Sequence, residues 1–466
     1  MIVRRGLVIA VLASACAPAP AAAQDDAAPQ RPALKSNRWQ EDWSALADPR
    51  LRTEPLDGLK YLALPGDDGR RYVSFGATLR ERFESNDAAA FGTSGNRSDS
   101  YVLQRLQLHA DLHLDERLRL FTELEDDRAW KKQTVSPVDQ DRVDLRLAFL
   151  EYDAALASAT LKARVGRQDF AFDLQRFVSS RDGPNVRQSF DAAWADWETR
   201  DWRFIGFVSR PVQYADDHAF DDRSNTDFRF STLRVERHVL GANELSAYYA
   251  LYQRGNARYG DGVGPERREI FDGRFAGAAD GVDWDLEAML QTGSVGAKTI
   301  RAWAIGPRAG YALTGVAWQP RLGLQFDAAS GDARAGDGRV GTFNPLFPNG
   351  YYFSLAGYTG YANLIHVKPS LTVKPDARLA TSLAAGLLWR QTTSDSIYVQ
   401  PNVPVAGTAG HGARWTGHYG QLRADYAVDR HVACAIEAVR YRAGDAIRAA
   451  GGHDSDYVGI ELKATW

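Results

Sequence analysis

Five residues, Val282, Trp284, Leu286, Ala288 and Leu290, alternate with Asp283, Asp285, Glu287, Met289 and Gln291. A β-strand sends successive side chains to opposite faces, so this stretch is a strand with one apolar and one largely charged face. The pattern recurs. Val73, Phe75, Ala77 and Leu79 alternate with Ser74, Gly76, Thr78 and Arg80. Leu106, Leu108, Ala110, Leu112 and Leu114 alternate with Arg105, Gln107, His109, Asp111 and His113, and Leu322, Leu324, Phe326 and Ala328 with Arg321, Gly323, Gln325 and Asp327. Unpaired charges on the inner face of a sandwich would be prohibitively desolvated. They suit a wetted lumen whose outer wall faces lipid, the pattern of a transmembrane β-barrel.

The end of the chain reads the same way. Trp466, Ala464, Leu462, Ile460 and Val458 form one face of a last strand, with Thr465, Lys463, Glu461, Gly459 and Tyr457 on the other. A barrel needs such a closing strand, because closure is what removes open edges. Trp466, Leu462 and Ile460 are the residues expected to carry a signal for the barrel-assembly machinery. No run reaches the ~18 apolar residues of a spanning helix, which for a membrane protein leaves a barrel.

The N-terminus reads as an export leader. Arg4 and Arg5 precede an apolar core over residues 6–15, and Ala21-Ala22-Ala23 forms an A-x-A cleavage site before Gln24. The competing reading is a lipoprotein acylated at Cys16, with Ala13 where a leucine is usual. Cleavage removes two arginines and no acid, taking the net charge from −3 to −5. That balance excludes a nucleic-acid binder. Cleavage also leaves Cys434 alone, so no intramolecular disulfide is expected. It alternates with Val432 and Ile436, as a small apolar residue on a lipid-facing strand.

Residues 1–23 are therefore read as the leader, 24–70 as an N-terminal periplasmic segment without sustained period, and 71–466 as the barrel. Short connections fall near 115–116, 154–158, 199–201, 240–243, 279–281, 318–320, 374–376 and 429–430. Long polar ones fall near 84–99, 129–141, 169–188, 211–226, 255–266, 292–298, 332–357, 392–413 and 443–455. These connections imply about 18 strands, an even number. The fold class is all-β, an antiparallel transmembrane barrel with short periplasmic turns and long extracellular loops. Both termini then lie in the periplasm. Strands at 142–153, 189–198 and 299–317 read poorly. Trp194, Trp197, Trp202, Tyr311, Trp318, Trp389, Trp415, Tyr426, Tyr441 and Trp466 fall near strand ends, where interfacial girdles are expected.

One region is more specific. Arg164-Val165-Gly166-Arg167-Gln168 ends a strand; then come Gln175-Arg176-Phe177, Arg181-Asp182-Gly183-Pro184-Asn185-Val186-Arg187 and Ser189-Phe190-Asp191. Other landmarks are Glu41-Asp42-Trp43 with Asp48-Pro49, Leu79-Arg80-Glu81-Arg82-Phe83, Gly331-Asp332, Phe343-Asn344-Pro345-Leu346-Phe347-Pro348 and Gly350-Tyr351-Tyr352. With these the chain resembles the alginate export family of outer-membrane barrels. The resemblance implies an 18-stranded channel with an arginine-rich lumen, in a family named for passing an anionic polyuronate. It does not specify the cargo.

A polyuronate pore needs fixed positive charges that attract without trapping. Arginine stays charged and pairs with carboxylates through its fork. Alternation places Arg80, Arg82, Arg105, Arg119, Lys162, Arg164, Arg321 and Arg423 inside. Arg80, Arg82 and Arg105 would form one positive ladder. Arg167 has outward parity, and a bulge would be needed to re-aim it. Arg181 and Arg187 lie in a long loop that can fold into the lumen. Glu81, Glu123, Glu125, Asp126 and Asp127 are candidate balancing acids.

No metal or cofactor site is expected. His109 and His113 share a face but stand about 13 Å apart. Glu125-Asp126-Asp127 reads as a solvated rim, and residues 331–338 lack calcium-loop spacing. Gly260-Asp261-Gly262-Val263-Gly264 lies between no strand and helix, so it cradles no nucleotide. An outer-membrane enzyme, or a soluble polysaccharide-binding protein, is a third class, but no motif joins a nucleophile to a base. A receptor with a plug domain is excluded by the length of 24–70. Two readings remain: a channel for an anionic polysaccharide or oligosaccharide, and a general or small-solute porin on the same scaffold. Both imply a monomer in contact with outer-membrane lipid and lipopolysaccharide. An arginine-dominated constriction favours the first and a balanced one the second.

Overall fold

The computed structural model describes residues 30–65, 70–95, 98–239 and 243–466. Residues 1–23, read above as a leader, with Cys16, and most of the 240–243 turn lie outside the described residues. Eighteen strands form one closed antiparallel barrel. We number them β1 Tyr72–Asn86, β2 Asp99–His113, β3 Leu118–Trp130, β4 Asp141–Ala155, β5 Ala159–Gln168 and β6 Phe190–Thr199. There follow β7 Trp202–Gln213, β8 Phe228–Val239, β9 Asn243–Tyr259, β10 Gly262–Ala279, β11 Val282–Val295 and β12, in two pieces, Lys298–Ile305 and Arg308–Ala312. The last are β13 Arg321–Ala329, β14 Leu364–Val373, β15 Leu379–Trp389, β16 Trp415–Ala427, β17 Val432–Ala443 and β18 Ser455–Thr465. β18 pairs with β1 from Thr78↔Thr465 to Asn86↔Tyr457, closing the wall. Trp466 extends the seam by exchanging main-chain hydrogen bonds of 2.8 Å with Ala77.

Alternation sorts the two faces as expected. On β11, Leu286 and Leu290 are exposed on the outer surface while Asp285, Glu287 and Gln291 are buried inside. Val208 and Leu233 are each 62 % exposed, part of an apolar outer surface that only lipid would cover at low cost.

Strands that read poorly in sequence have local causes. On β4 the register shifts opposite Glu123 and Leu124, so Arg146 and Leu147 are both buried and the alternation breaks. β12 is interrupted at Gly306-Pro307, since proline cannot donate to the ladder. Two expected loops are largely strand. β9 and β10 run on to a tight turn at Gly260-Asp261, and β11 and β12 to one at 296–297. Cross-strand pairs such as Arg254–Glu266 (2.6 Å) keep these polar extensions paired. Two expected girdle aromatics point inward instead. Trp194 shares its face with Asp196 and packs on the inner core, and Tyr441 is buried against Phe91.

The described part of the N-terminal segment is packed. Residues 38–51 form three 3₁₀ turns, and Asp57–Lys60 a short helix. Trp43, Leu46 and Tyr61 bury against Tyr72 at the short-turn end. Arg38 pairs with Glu41 and donates to Ala77 O, Thr78 Oγ1 and Trp466 O, so the segment is bolted across the β1–β18 seam.

Candidate functional site

The long loops fill the upper bore. Residues 169–189 leave β5 and cross the lumen. Near their start, Phe170 stacks on Phe207, with ring centroids 4.0 Å apart. Midway, Arg176 reaches Asp285 (2.6 Å) and Glu287 on β11. Farther on, Arg80 and Arg105 on β1 and β2 grip the turn at 182–185. Arg80 donates to Asp182 O (2.7 Å) and Asn185 Oδ1 (3.1 Å). Arg105 donates to Asp182 Oδ1 (2.6 Å), Pro184 O (2.6 Å) and Asn185 O (2.7 Å). Burial works against the ionised Asp182 carboxyl, but Arg105, Arg187, Lys463 and Arg80 hold it well below the usual carboxylate range. Loop 330–363 meets this crossing from the other side. Val178 bridges to Phe347, and Phe177, Phe343, Phe353 and Tyr361 pack into one buried aromatic cluster.

Below the crossing lies a cavity of about 1380 Å³, open toward the short-turn end. The N-terminal segment forms one wall. Trp39 Nε1 donates to Asp169 (3.0 Å), and its ring lies 4.0 Å from the Arg164 guanidinium. Trp194 stacks on the same guanidinium at 4.8 Å. Arg164 also pairs with Glu151, which Arg119 shares at 3.2 Å.

The inward arginines are there, but they do not make a free positive ladder. Arg82 sits among Glu84 (2.6 Å), Glu437 (2.5 Å) and Glu461 (3.0 Å). Arg119 pairs with Asp111 (2.7 Å), Arg321 with Asp283 (2.5 Å), Arg423 with Asp425 (2.7 Å) and Glu437, and half-exposed Lys162 with Asp153 (3.4 Å). Arg187 lies in the crossing loop, bonded to Ser180 Oγ (2.9 Å) and Asn37 Oδ1 (3.2 Å). Arg181 is inside the aromatic plug, 5.5 Å from the Phe347 ring centroid, and burial lowers its guanidinium below the usual range. Arg167 keeps its outward parity; no bulge re-aims it. It pairs with Asp191 (3.0 Å) at the long-loop rim and does not reach the lumen. Of the expected balancing acids, Glu81 and Asp126 face outward, against Gln104 and Arg128. Glu123, Glu125 and Asp127 face inward.

Sequence reasoning missed Arg146, Arg176, Arg234, Arg274 and Arg308. Arg146 is hidden by the β4 bulge. Arg308 keeps the inward parity of Ala302 and Ala304 across the Gly306-Pro307 break, with the register unchanged, and was missed because the strand there read poorly. The guanidinium of Arg146 contacts Glu123 (2.5 Å), Glu125 (3.3 Å) and Asp169 (2.6 Å), all buried. Arg146→Ala strands three carboxylates and should destabilise the barrel by about 3–5 kcal/mol, read as a lower urea midpoint. An unchanged midpoint would show that water or protons compensate. Arg308 is different: it lines the cavity, its buried Nε has no hydrogen-bond partner, and among the described residues it makes no ion pair.

Residues 71–461 match the family model described as alginate export. The chain belongs to the alginate export family. No curated protein matches it. Solved structures with the same fold include the outer-membrane protein OpdK of Pseudomonas aeruginosa, 10% identical, with a TM-score of 0.56 over 84% of this chain and 98% of that one. OccAB1 of Acinetobacter baumannii is 12% identical, with a TM-score of 0.57 over 87% and 99%. OccK2 (OpdF) of P. aeruginosa, solved in complex with glucuronate, is 12% identical, with a TM-score of 0.54 over 84% and 98%. This alginate export family member is an outer-membrane β-barrel channel.

Proposed function

We propose that the channel passes small carboxylated solutes, of uronate or short oligouronate size, with the short turns and both termini in the periplasm. The observation that carries this reading is Arg308. Among the described residues its guanidinium, on the cavity wall, makes no ion pair and its Nε no hydrogen bond, in a lumen where most other arginines are already neutralised. An arginine fork binds a carboxylate in two-point fashion. Glucuronate in the OccK2 crystal structure is consistent with a uronate-sized solute. The cavity holds more than the roughly 300–1,000 Å³ of a typical small-ligand site, enough for a few sugar rings. The family match supports a second reading, passage of a long polyuronate. That cargo requires the crossing loops at 169–189 and 330–363 to move aside.

Planar-bilayer recordings separate these readings. The first predicts block of the current by glucuronate from the cavity side, weakened in Arg308→Ser. It also predicts that the reversal potential in a salt gradient loses anion preference in the same variant. Block by long polyuronate with none by glucuronate would favour the polymer. A cation-selective wild type would overturn both.

A further inference from the structure

At the long-loop rim, away from the cavity, three carboxylates meet. Asp141 begins β4, and Asp221 and Asp222 lie on the 214–227 loop between β7 and β8. One oxygen from each lies within 4.8 Å of the others. Acidic clusters are common on extracellular loops, and proximity alone means little. This cluster has a second property. Asp141 is only 5 % exposed, and its buried Oδ1 has no hydrogen-bond partner. Asp221 Oδ1 is likewise buried and unpartnered. Among the described residues none of the three makes an ion pair. The nearby cations pair with other carboxylates: Arg167 with Asp191 (3.0 Å), reaching Asp222 only at its main-chain carbonyl (3.4 Å), and Arg142 toward Asp216 (3.6 Å). Buried charge of one sign is tolerated when it coordinates a cation.

The cluster is also held in place. Phe220 N donates to Val143 O (3.1 Å) and Asp222 N to Asp144 Oδ2 (3.0 Å), fastening the loop to β4. Gln140 Nε2 donates to Asp216 Oδ2 (2.6 Å). The second oxygens of the loop aspartates are oriented by main-chain donors, His218 N on Asp221 Oδ2 (2.8 Å) and Ala215 N on Asp222 Oδ1 (2.9 Å).

We propose that Asp141, Asp221 and Asp222 form a calcium site that pins the 214–227 loop to the barrel rim. The donors are all hard oxygens, with no imidazole or thiolate among the three, which selects calcium or magnesium over zinc or copper. Calcium accepts six to eight oxygens in irregular geometry, and water completes its shell; magnesium demands a stricter octahedron. Sequence reading had no access to this set, because Asp141 stands 80 residues from Asp221. The ion would also stiffen the crossing loop, since Asp139, two residues before Asp141, accepts from Asn185 Nδ2 (3.0 Å) through its carbonyl. The proposal does not depend on the cargo.

The test uses the full folded barrel in detergent, stripped with chelator and titrated with calcium chloride in a calorimeter, with magnesium chloride as competitor. Asp221→Asn alters a half-buried loop residue, and Asp141→Asn a buried one on the barrel wall; heat-modifiable gel migration reports that each remains folded. The expected result is one saturable calcium site in the wild type, weakened about tenfold or more in Asp221→Asn as ligand charge falls. In Asp141→Asn the site should be lost. No saturable site in the wild type, as a proton shared among the three carboxylates would give, overturns the proposal. So does unchanged affinity in a folded Asp221→Asn.

Discussion

Removing residues 455–466 abolishes the folded barrel. β18 joins β17 to β1, with register pairs from Val432↔Ala464 to Tyr441↔Ser455 on one side and Thr78↔Thr465 to Asn86↔Tyr457 on the other. Its loss leaves two open edges in a setting where unpaired main-chain groups cost several kcal/mol each. It also strands the N-terminal segment, which holds the seam through Arg38 on Trp466 O (3.0 Å) and Lys60 4.4 Å from the Trp466 ring centroid. Trp466→Asp is milder, because the main-chain bonds to Ala77 survive. It should lower the assembled amount through the lost contact of the ring with Lys60. Outer-membrane fractionation with and without heating reads both. A heat-modifiable barrel in the truncated protein would overturn the seam argument.

Arg80→Ser with Arg105→Ser enlarges the single-channel conductance and makes it noisier. These two side chains hold the 182–185 turn across the bore by charge-assisted hydrogen bonds, each arginine contributing about 1.5–3 kcal/mol. Losing both amounts to roughly 3–6 kcal/mol, and about 5.5 kcal/mol carries a two-state element from 1:99 to 99:1. The loop should therefore pass from mostly closed to largely released. Arg82→Ser is the contrast. Arg82 touches Glu84, Glu437 and Glu461 and makes no contact with the 182–185 turn among the described hydrogen bonds, so conductance should stay near wild type. Lysine at 80 and 105 should rescue only in part, since it keeps the charge and loses the fork. Equal conductance in the double serine variant and the wild type would mean that the aromatic cluster alone holds the loop.

Much of the architecture was legible from the order of residues. A strand's two faces repeat with period two, so Leu286 against Glu287, or Leu322 against Arg321, declared an outer and an inner wall without any knowledge of partners. Turn residues at 115–116, 280–281 and 429–430 marked hairpins, because sharp reversal is a local property. The motif from Arg164 to Asp191 placed the family. Local pattern failed where a local event resets the period, at the β4 bulge that brings Arg146 inside. At Gly306-Pro307 the period holds, but the break and the small residues around it obscured the strand that carries Arg308 inward.

What each inward arginine does was decided only by closure. Alternation put Arg82 inside, yet its partners Glu437 and Glu461 are more than 350 residues away and meet it only across the β1–β18 seam. Arg80 and Arg105 looked like free lumen charge until the 169–189 crossing brought main-chain carbonyls to them. The direction of a side chain follows from period two; whether its charge is spent depends on groups that chain folding delivers from elsewhere. Electrostatics acts through space over a few ångströms, and sequence distance carries no record of it. The alternation therefore told of a polar-lined barrel, and the tertiary structure decided that its lumen is largely charge-paired, with Arg308 left open to the cavity.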